Sequence, residues 1–274
     1  MLTKAQLKSL RALKQKKGRM AQEKYLIEGA HLCREALGSK AKLDLILYTP
    51  AGFQNIEIKQ VVVTAQKQGI PNLQIPPSEL KSLADAVAPQ GLVAVVNRLQ
   101  PGTGPYRGRI MLLLDQVRDP GNVGTIIRTA DASGADAVFL TGESADPYSP
   151  KVLRATQGSI FHLPVYHHVD PEKLIADLKT RGFRVFVTDP RAHRSHTQVR
   201  FPHRFLLVVG NETKGVRPEL KSRSDDLIGV PIVGRAESLN VSMAAGVILY
   251  EALRQRTTKG KSDATKKRNF RRFK

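Results

Sequence analysis

Three short stretches carry residue types that can do chemistry. The first is DPGNVGTIIRTADASGA, residues 119–135, with Asn122 and Arg128. The two lie six positions apart, so they do not share a helix face. Asn122 falls at the start of a helical pattern, where unpaired backbone N–H groups can meet an anion. Arg128 follows about two turns later among Ile126, Ile127 and Ala130, so its charge calls for a partner or a cleft. A capping asparagine and a solvated arginine are the simpler alternative. The second stretch is GNETKG, residues 210–215. Ionised Glu212 only accepts hydrogen bonds, so it can anchor a loop or a ligand amine or hydroxyl. It can equally sit in a plain strand-to-helix turn. A phosphate-binding NTPase loop is excluded, because Val216 rather than Ser or Thr follows the lysine and glycine. The third is ESLNVSMAAG, residues 237–246. Ser238 or Asn240 would cap the final helix. Two hydroxyls and an amide there would also cradle a polar ligand.

Other chemistries lack their signatures. His167-His168, His193 and His196 are not joined by cysteines or carboxylates in a zinc spacing, so no metal is expected. No G-x-S-x-G elbow marks a serine hydrolase.

The elements that must position these residues read as α/β. Residues 205–209 are an apolar strand stopping at Gly210, and residues 227–233 are a short strand with a proline, stopping at Gly234. Read as neighbouring parallel strands, their carboxyl-end loops would form one ligand crevice. Earlier in the chain, residues 3–17 read as one helix, then Lys24–Glu28 as a strand, Ala30–Leu37 as a helix and Leu43–Tyr48 as a strand. Residues 57–68 read as a helix, 73–75 as a strand, 78–86 as a helix and 91–96 as a strand. Prolines and glycines make 97–109 a flexible linker. Strands at 110–115, 137–140 and 184–187 then alternate with helices at 122–133, 150–156 and 171–181, with a last helix at 241–256. This alternation argues for a mostly parallel sheet. The expected division is 1–96, a linker 97–109, 110–256, and a charged tail 257–274 read as disordered when free.

Charge points to a polyanionic partner. The 274 residues carry net +20, of which residues 1–24 hold +7 and residues 254–274 hold +9. Two basic ends on a nearly balanced body favour nucleic acid over mere solubility. A membrane surface fits less well, since no strongly apolar face accompanies the charge. No apolar run approaches the ~18 residues of a bilayer span, and no secretory h-region follows the basic start. The single Cys33 fits a reducing compartment, so the expectation is cytoplasmic.

NVGTIIRTADASGA, LVVGNETKGV and VPIVGRAESLNVSMAAGVILYEALRQ resemble, in order and spacing, the three motifs of the SpoU (TrmH-like) RNA ribose 2′-O-methyltransferases of the SPOUT superfamily, over about residues 110–256. YLIEGAHLCREAL and APQGLVAVV are similar to the family's L30e-like substrate-binding domain, over about residues 5–96. The resemblance implies an α/β fold with a C-terminal trefoil knot through 207–215, 228–234 and 238–250, although knots are nearly absent elsewhere. It implies S-adenosyl-L-methionine as cofactor, a homodimer with the pocket at its interface, and an RNA substrate, which the substrate-binding domain favours as ribosomal RNA, with a transfer RNA ribose 2′-O-methyltransferase as the alternative within the class. A silent RNA-binding or ribosome-assembly protein is the alternative from another class. The implied cofactor contacts are Gly210, Val230 and Leu239 through backbone groups, with Asn211, Gly215, Ser238, Ile232 and Thr141 near them. The implied catalytic set is Arg128, Asn122, Glu212, Ser238 and Asn240. Arg128 would orient the ribose hydroxyl and stabilise oxyanion charge, or act as base; Asn122 would position Arg128 or the ribose; Glu212 would anchor its loop; Ser238 and Asn240 would hold substrate and site geometry. Phe270 and Phe273 in the tail could stack on unpaired bases.

Overall fold

The computed structural model describes residues 2–98, 106 and 108–259. The amino-terminal part begins with helices α1 (Lys4–Ala12) and α2 (Lys16–Gln22). The expected single helix is broken: Leu13 closes α1 and Gln15 restarts α2 from an extended backbone. Strand β1 (Lys24–Glu28), helix α3 (Ala30–Leu37), strand β2 (Leu43–Tyr48), helices α4 (Pro50–Phe53) and α5 (Ile56–Lys67), strand β3 (Asn72–Gln74), helix α6 (Pro77–Leu83) and strand β4 (Leu92–Asn97) follow. The sheet order is β1-β4-β2-β3, with β4 antiparallel to both neighbours.

The carboxyl-terminal part holds β5 (Ile110–Asp115), α7 (Pro120–Ser133), β6 (Ala137–Thr141), α8 (Pro150–Thr156), the 3-10 turn Ser159–Phe161, β7 (Val165–Val169), α9 (Pro171–Thr180), β8 (Arg184–Thr188), β9 (Arg194–Ser195), β10 (Phe205–Gly210), α10 (Pro218–Lys221), β11 (Asp226–Gly229) and α11 (Val241–Lys259). These strands form a seven-stranded sheet in the order β7-β6-β5-β10-β8-β11-β9, and every pairing is parallel. Every residue of β5, β6 and β10 is buried, the continuous apolar run expected where helices cover both faces.

Several expectations need correction. The strand at 227–233 is only Asp226–Gly229, because the segment beyond it leaves the sheet before Pro231. The strand β7 is unexpected from sequence, since YHH interrupts its apolar pattern. Helix α11 runs to Lys259, past the expected start of the tail; residues 260–274, with Phe270 and Phe273, lie outside the described residues. So do 99–105 and 107 of the expected linker. The linker's end is docked: the Tyr106 ring meets Phe139 and Tyr166 edge-on at 4.8 and 5.0 Å.

The two sheets share a packed seam. Tyr25 of β1 lies against Tyr148 at 4.7 Å between ring centroids, and both belong to one buried cluster with Leu92, Val152 and Leu153. Ion pairs fasten the seam: Arg19 to Asp146 at 2.7 Å and Arg154 to Asp85 at 2.6 Å. No helix among the described residues is long and apolar enough to cross a membrane.

Candidate active site

The loops after β10 and β11 do converge, but not from neighbouring strands. Strand β8 lies between them, and its exit, Thr188-Asp189-Pro190, forms a third wall of the cleft. The cleft measures about 960 Å³ including its open mouth. Gly210, Asn211, Glu212, Gly215, Val230, Ile232, Ser238, Leu239 and Asn240 all line it, together with Ile228 below and Ala244 and Ile248 of α11. Sequence reasoning missed the β8 exit. Its signal was there, a strand ending in a Thr-Asp-Pro turn, but nothing local says which strand stands between two others.

Gly210 shows why the loop after β10 needs glycine. A Cβ on it would sit 2.2 Å from backbone atoms of Gly215 and Val216, so the chain doubles back on its own root. Asn211 shapes that return. Its side-chain oxygen accepts from the backbone of Thr213 and Lys214, and its amide donates to the Gln116 carbonyl at 2.9 Å. The Asn211 side chain is therefore occupied in holding two loops together.

The three chemistry-bearing stretches meet through one hydrogen-bond chain. Glu212 accepts from Asn122 Nδ2 at 3.0 Å and from the backbone N–H groups of Asp119 and Arg118 at 3.0 and 3.2 Å. Asn122 Oδ1 in turn accepts from Asn240 Nδ2 at 2.9 Å. Asn240 Oδ1 accepts from the backbone of Ser242 and Met243 at the start of α11. Burial pushes the Glu212 carboxyl up, but the bond from Asn122 and those from backbone N–H groups outweigh it and hold the group below its usual range. Glu212 is thus an ionised acceptor at neutral pH.

Capping roles differ from the simple alternatives. Asp119, not Asn122, caps α7, accepting from the Asn122 N–H at 2.9 Å, a bond that holds its carboxyl low. Asn122 is thereby free to face Glu212 and Asn240. At α11 the capping side chain is Asn240, and Ser238 stands outside the helix on the exposed loop. Thr141 is not brought to the cleft wall. Its hydroxyl is buried, accepts from the Gln116 N–H at 2.9 Å and sits 3.4 Å from Ser144 Oγ. Arg128 is exposed on α7, away from the cleft lining. Among the described residues it finds no internal partner, and none of them supplies the expected partner or cleft.

The lining suits a cationic adenosyl sulfonium. Backbone and apolar groups from Gly210, Ile228, Val230, Ile232 and Leu239 dominate, Asp189 and Glu212 are the carboxylates, and no lysine or arginine lines the cleft among the described residues. Asp189 is itself paired with Lys221 at 2.6 Å, which leaves Glu212 as the carboxylate without a cationic side chain in contact.

A parallel α/β sheet whose strand-end loops close on a cleft of this make-up has the form of a small-molecule binding site. Residues 109–250 match the SpoU rRNA Methylase family, and residues 4–94 match the MRM3-like substrate binding domain. The chain is 35% identical over 244 residues to the 23S rRNA (guanosine(2553)-2′-O)-methyltransferase RlmP of Bacillus subtilis (strain 168), covering 89% of this chain and 94% of that one. Among solved structures it is similar to the SpoU methyltransferase AviRb of Streptomyces viridochromogenes in complex with AdoMet, at 29% identity and TM-score 0.85, over 93% of this chain and 99% of that one. An AdoMet-bound rRNA methyltransferase of Sinorhizobium meliloti is similar at 32% identity and TM-score 0.82, over 93% and 96%. The chain belongs to the SpoU rRNA methylase family. It is an RNA methyltransferase that uses S-adenosylmethionine.

Proposed function

We propose that the protein methylates a ribose 2′-hydroxyl in 23S-type ribosomal RNA. The observation that carries this reading is the Glu212–Asn122–Asn240 chain, which joins all three stretches at the mouth of the cleft. The similarity to RlmP along nearly its whole length supports ribosomal over transfer RNA. Bound S-adenosylmethionine supplies a methyl group on a sulfonium. The residues around it do the rest. Glu212 fixes the N-terminus of α7 against the cleft, and Asn240 fixes the start of α11 against Asn122. The 2′-oxygen bonds the methyl carbon as the carbon–sulfur bond breaks, and the hydroxyl proton leaves to solvent or a substrate phosphate. Guanidinium groups stay protonated in proteins, so Arg128 orients the hydroxyl and neighbouring phosphate and stabilises developing negative charge rather than removing a proton. Ser238 holds substrate beside Asn240, and backbone groups of Gly210, Val230 and Leu239 hold the cofactor.

The chain threading 207–215, 228–234 and 238–250 is proposed to be knotted. The functional unit is proposed to be a homodimer in the cytoplasm, divided as 1–96, 97–109, 110–256 and 257–274. A row of exposed apolar side chains, Met243, Val247 and Tyr250, runs along α11, with Val233 and Leu239 beside its start. We propose that a second copy covers that row and that, as the family resemblance implies, the pocket lies at the interface so formed, where Arg128 meets the partner's cleft. Sedimentation should give a dimer that Tyr250→Lys weakens; a monomer at micromolar concentration would count against it. Mapping 2′-O-methyl sites in RNA from cells with and without the gene tests the main reading. One ribosomal site should disappear without the gene; an unchanged ribosomal map would overturn it.

A further inference from the structure

Asp115 ends β5 beside β10 and stands opposite Gly210 in the register. Its side chain has no exposed surface. A buried carboxylate persists only if it is paired and hydrogen-bonded, and Arg217 does both. Arg217 Nη2 lies 2.7 Å from Oδ1, Nε lies 3.0 and 3.2 Å from the two oxygens, and the Arg217 backbone N–H donates to Oδ2 at 3.1 Å. The guanidinium is held above its ordinary value by this bond. Arg217 comes two residues after Gly215, so the pair closes the 211–216 loop onto the sheet that it left. A second tie runs from Asn211 Nδ2 to the Gln116 carbonyl. Gln116 has φ +57°, a left-handed backbone that a non-glycine residue keeps only when its neighbours impose it. Glu212 makes the third tie, to the N–H groups of Arg118 and Asp119. Residues 115–119 are thus laced at three points to one loop, the loop that walls the cleft.

We propose that Asp115 is a positioning residue for methyl transfer: through Arg217 it sets the loop that carries Glu212 and so shapes the cofactor cleft. This rests on the reading above that the cleft holds S-adenosylmethionine. Asp115–Arg217 fastens the far end of the loop and Glu212 the near end. Losing one fastening should therefore make the other matter less, the signature of two sites coupled through a shared backbone segment. A pair that only stabilises the fold would show no such coupling.

The test uses the full chain and calorimetry with S-adenosylmethionine on the wild type, Asp115→Asn, Arg217→Lys, Glu212→Gln and both doubles with Glu212→Gln. Thermal melting runs beside it. Asp115→Asn and Arg217→Lys should each raise the cofactor Kd about ten-fold, equivalent to about 1.4 kcal/mol, while still melting cooperatively. In the Glu212→Gln background each should add less than about a two-fold loss. Should Asp115→Asn fail to fold, Arg217→Lys carries the test, because it keeps a cation opposite the buried carboxylate. Wild-type affinity in Arg217→Lys, or strictly additive losses in the doubles, would overturn Asp115's role and leave the functional reading standing. No cofactor binding by the wild type would overturn both.

Discussion

Arg128 is the residue whose place in the chemistry is least explained by its own chain. It stands exposed one face round α7 from the buried Ile126, Ile127 and Ala130. A solvated arginine contributes almost nothing to folding, so its removal separates chemistry from stability cleanly. Arg128→Ala should lower methyl transfer by about 10²–10³-fold, the usual cost of losing one donor aimed at developing charge. Calorimetry should find cofactor affinity unchanged, since Arg128 lies off the cleft wall. Retained turnover would refute its assignment. Asn122 and Asn240 present the opposite case, because each amide is already spent on a neighbour within the fold. Their sequence positions were legible. Their partners were not, because an asparagine at a helix start reads as a cap until the competing Asp119 is seen to fill that place.

Helix α7 is the element on which the site depends, and Gly124 sets its place. A Cβ at Gly124 would sit 2.4 Å from Ala155 Cβ and 2.8 Å from the Val152 carbonyl of α8. In an open helix, Gly→Ala gains about 1 kcal/mol of propensity. Here overpacking costs about 1–3 kcal/mol, because backbone on α8 cannot yield as a flexible side chain would. Gly124→Ala should therefore lower the melting temperature and reduce turnover by shifting Asn122 and Arg128 together. An unchanged or raised melting temperature would sink the argument. Helix α11 is apolar on two sides: Ala245, Ile248, Leu249 and Ala252 are buried in this chain, while Met243, Val247 and Tyr250 remain exposed. Only the packed fold separates the buried stripe from the exposed one.

At the scale of the molecule, His162 bridges the two parts. Its Nδ1 lies 2.8 Å from Asp131 on α7 and its Nε2 lies 3.1 Å from Glu35 on α3. Both ring nitrogens can donate only in the imidazolium form. The Asp131 bond, against some burial and with help from Glu35, raises the His162 pKa above its ordinary value. His31, 3.9 Å from Glu35, shares that carboxylate. A raised folded-state pKa means the stabilising contribution is complete below about pH 6.5, the unperturbed histidine value. It is lost as pH rises through the folded-state value. The melting-temperature gap between wild type and His162→Gln should thus be wide at mildly acidic pH and close on the alkaline side. The ring is partly exposed, so the gap should be modest. A gap that widens with pH would contradict the bridge.

The sequence by itself determined the class of most segments, though not strand β7 or the break between α1 and α2, together with the α/β alternation, the three stretches that carry the chemistry, and the basic ends. Those properties are local: a run of buried side chains or a helix start is written in adjacent residues. The tertiary structure alone decided that β8 stands between β10 and β11, that the Thr188–Pro190 turn joins the cleft, and that the Thr141 hydroxyl supports Gln116 instead of lining it. Strand order and side-chain partnership depend on crossover connections between distant segments, and no spacing along the chain encodes which of several apolar strands will lie beside which.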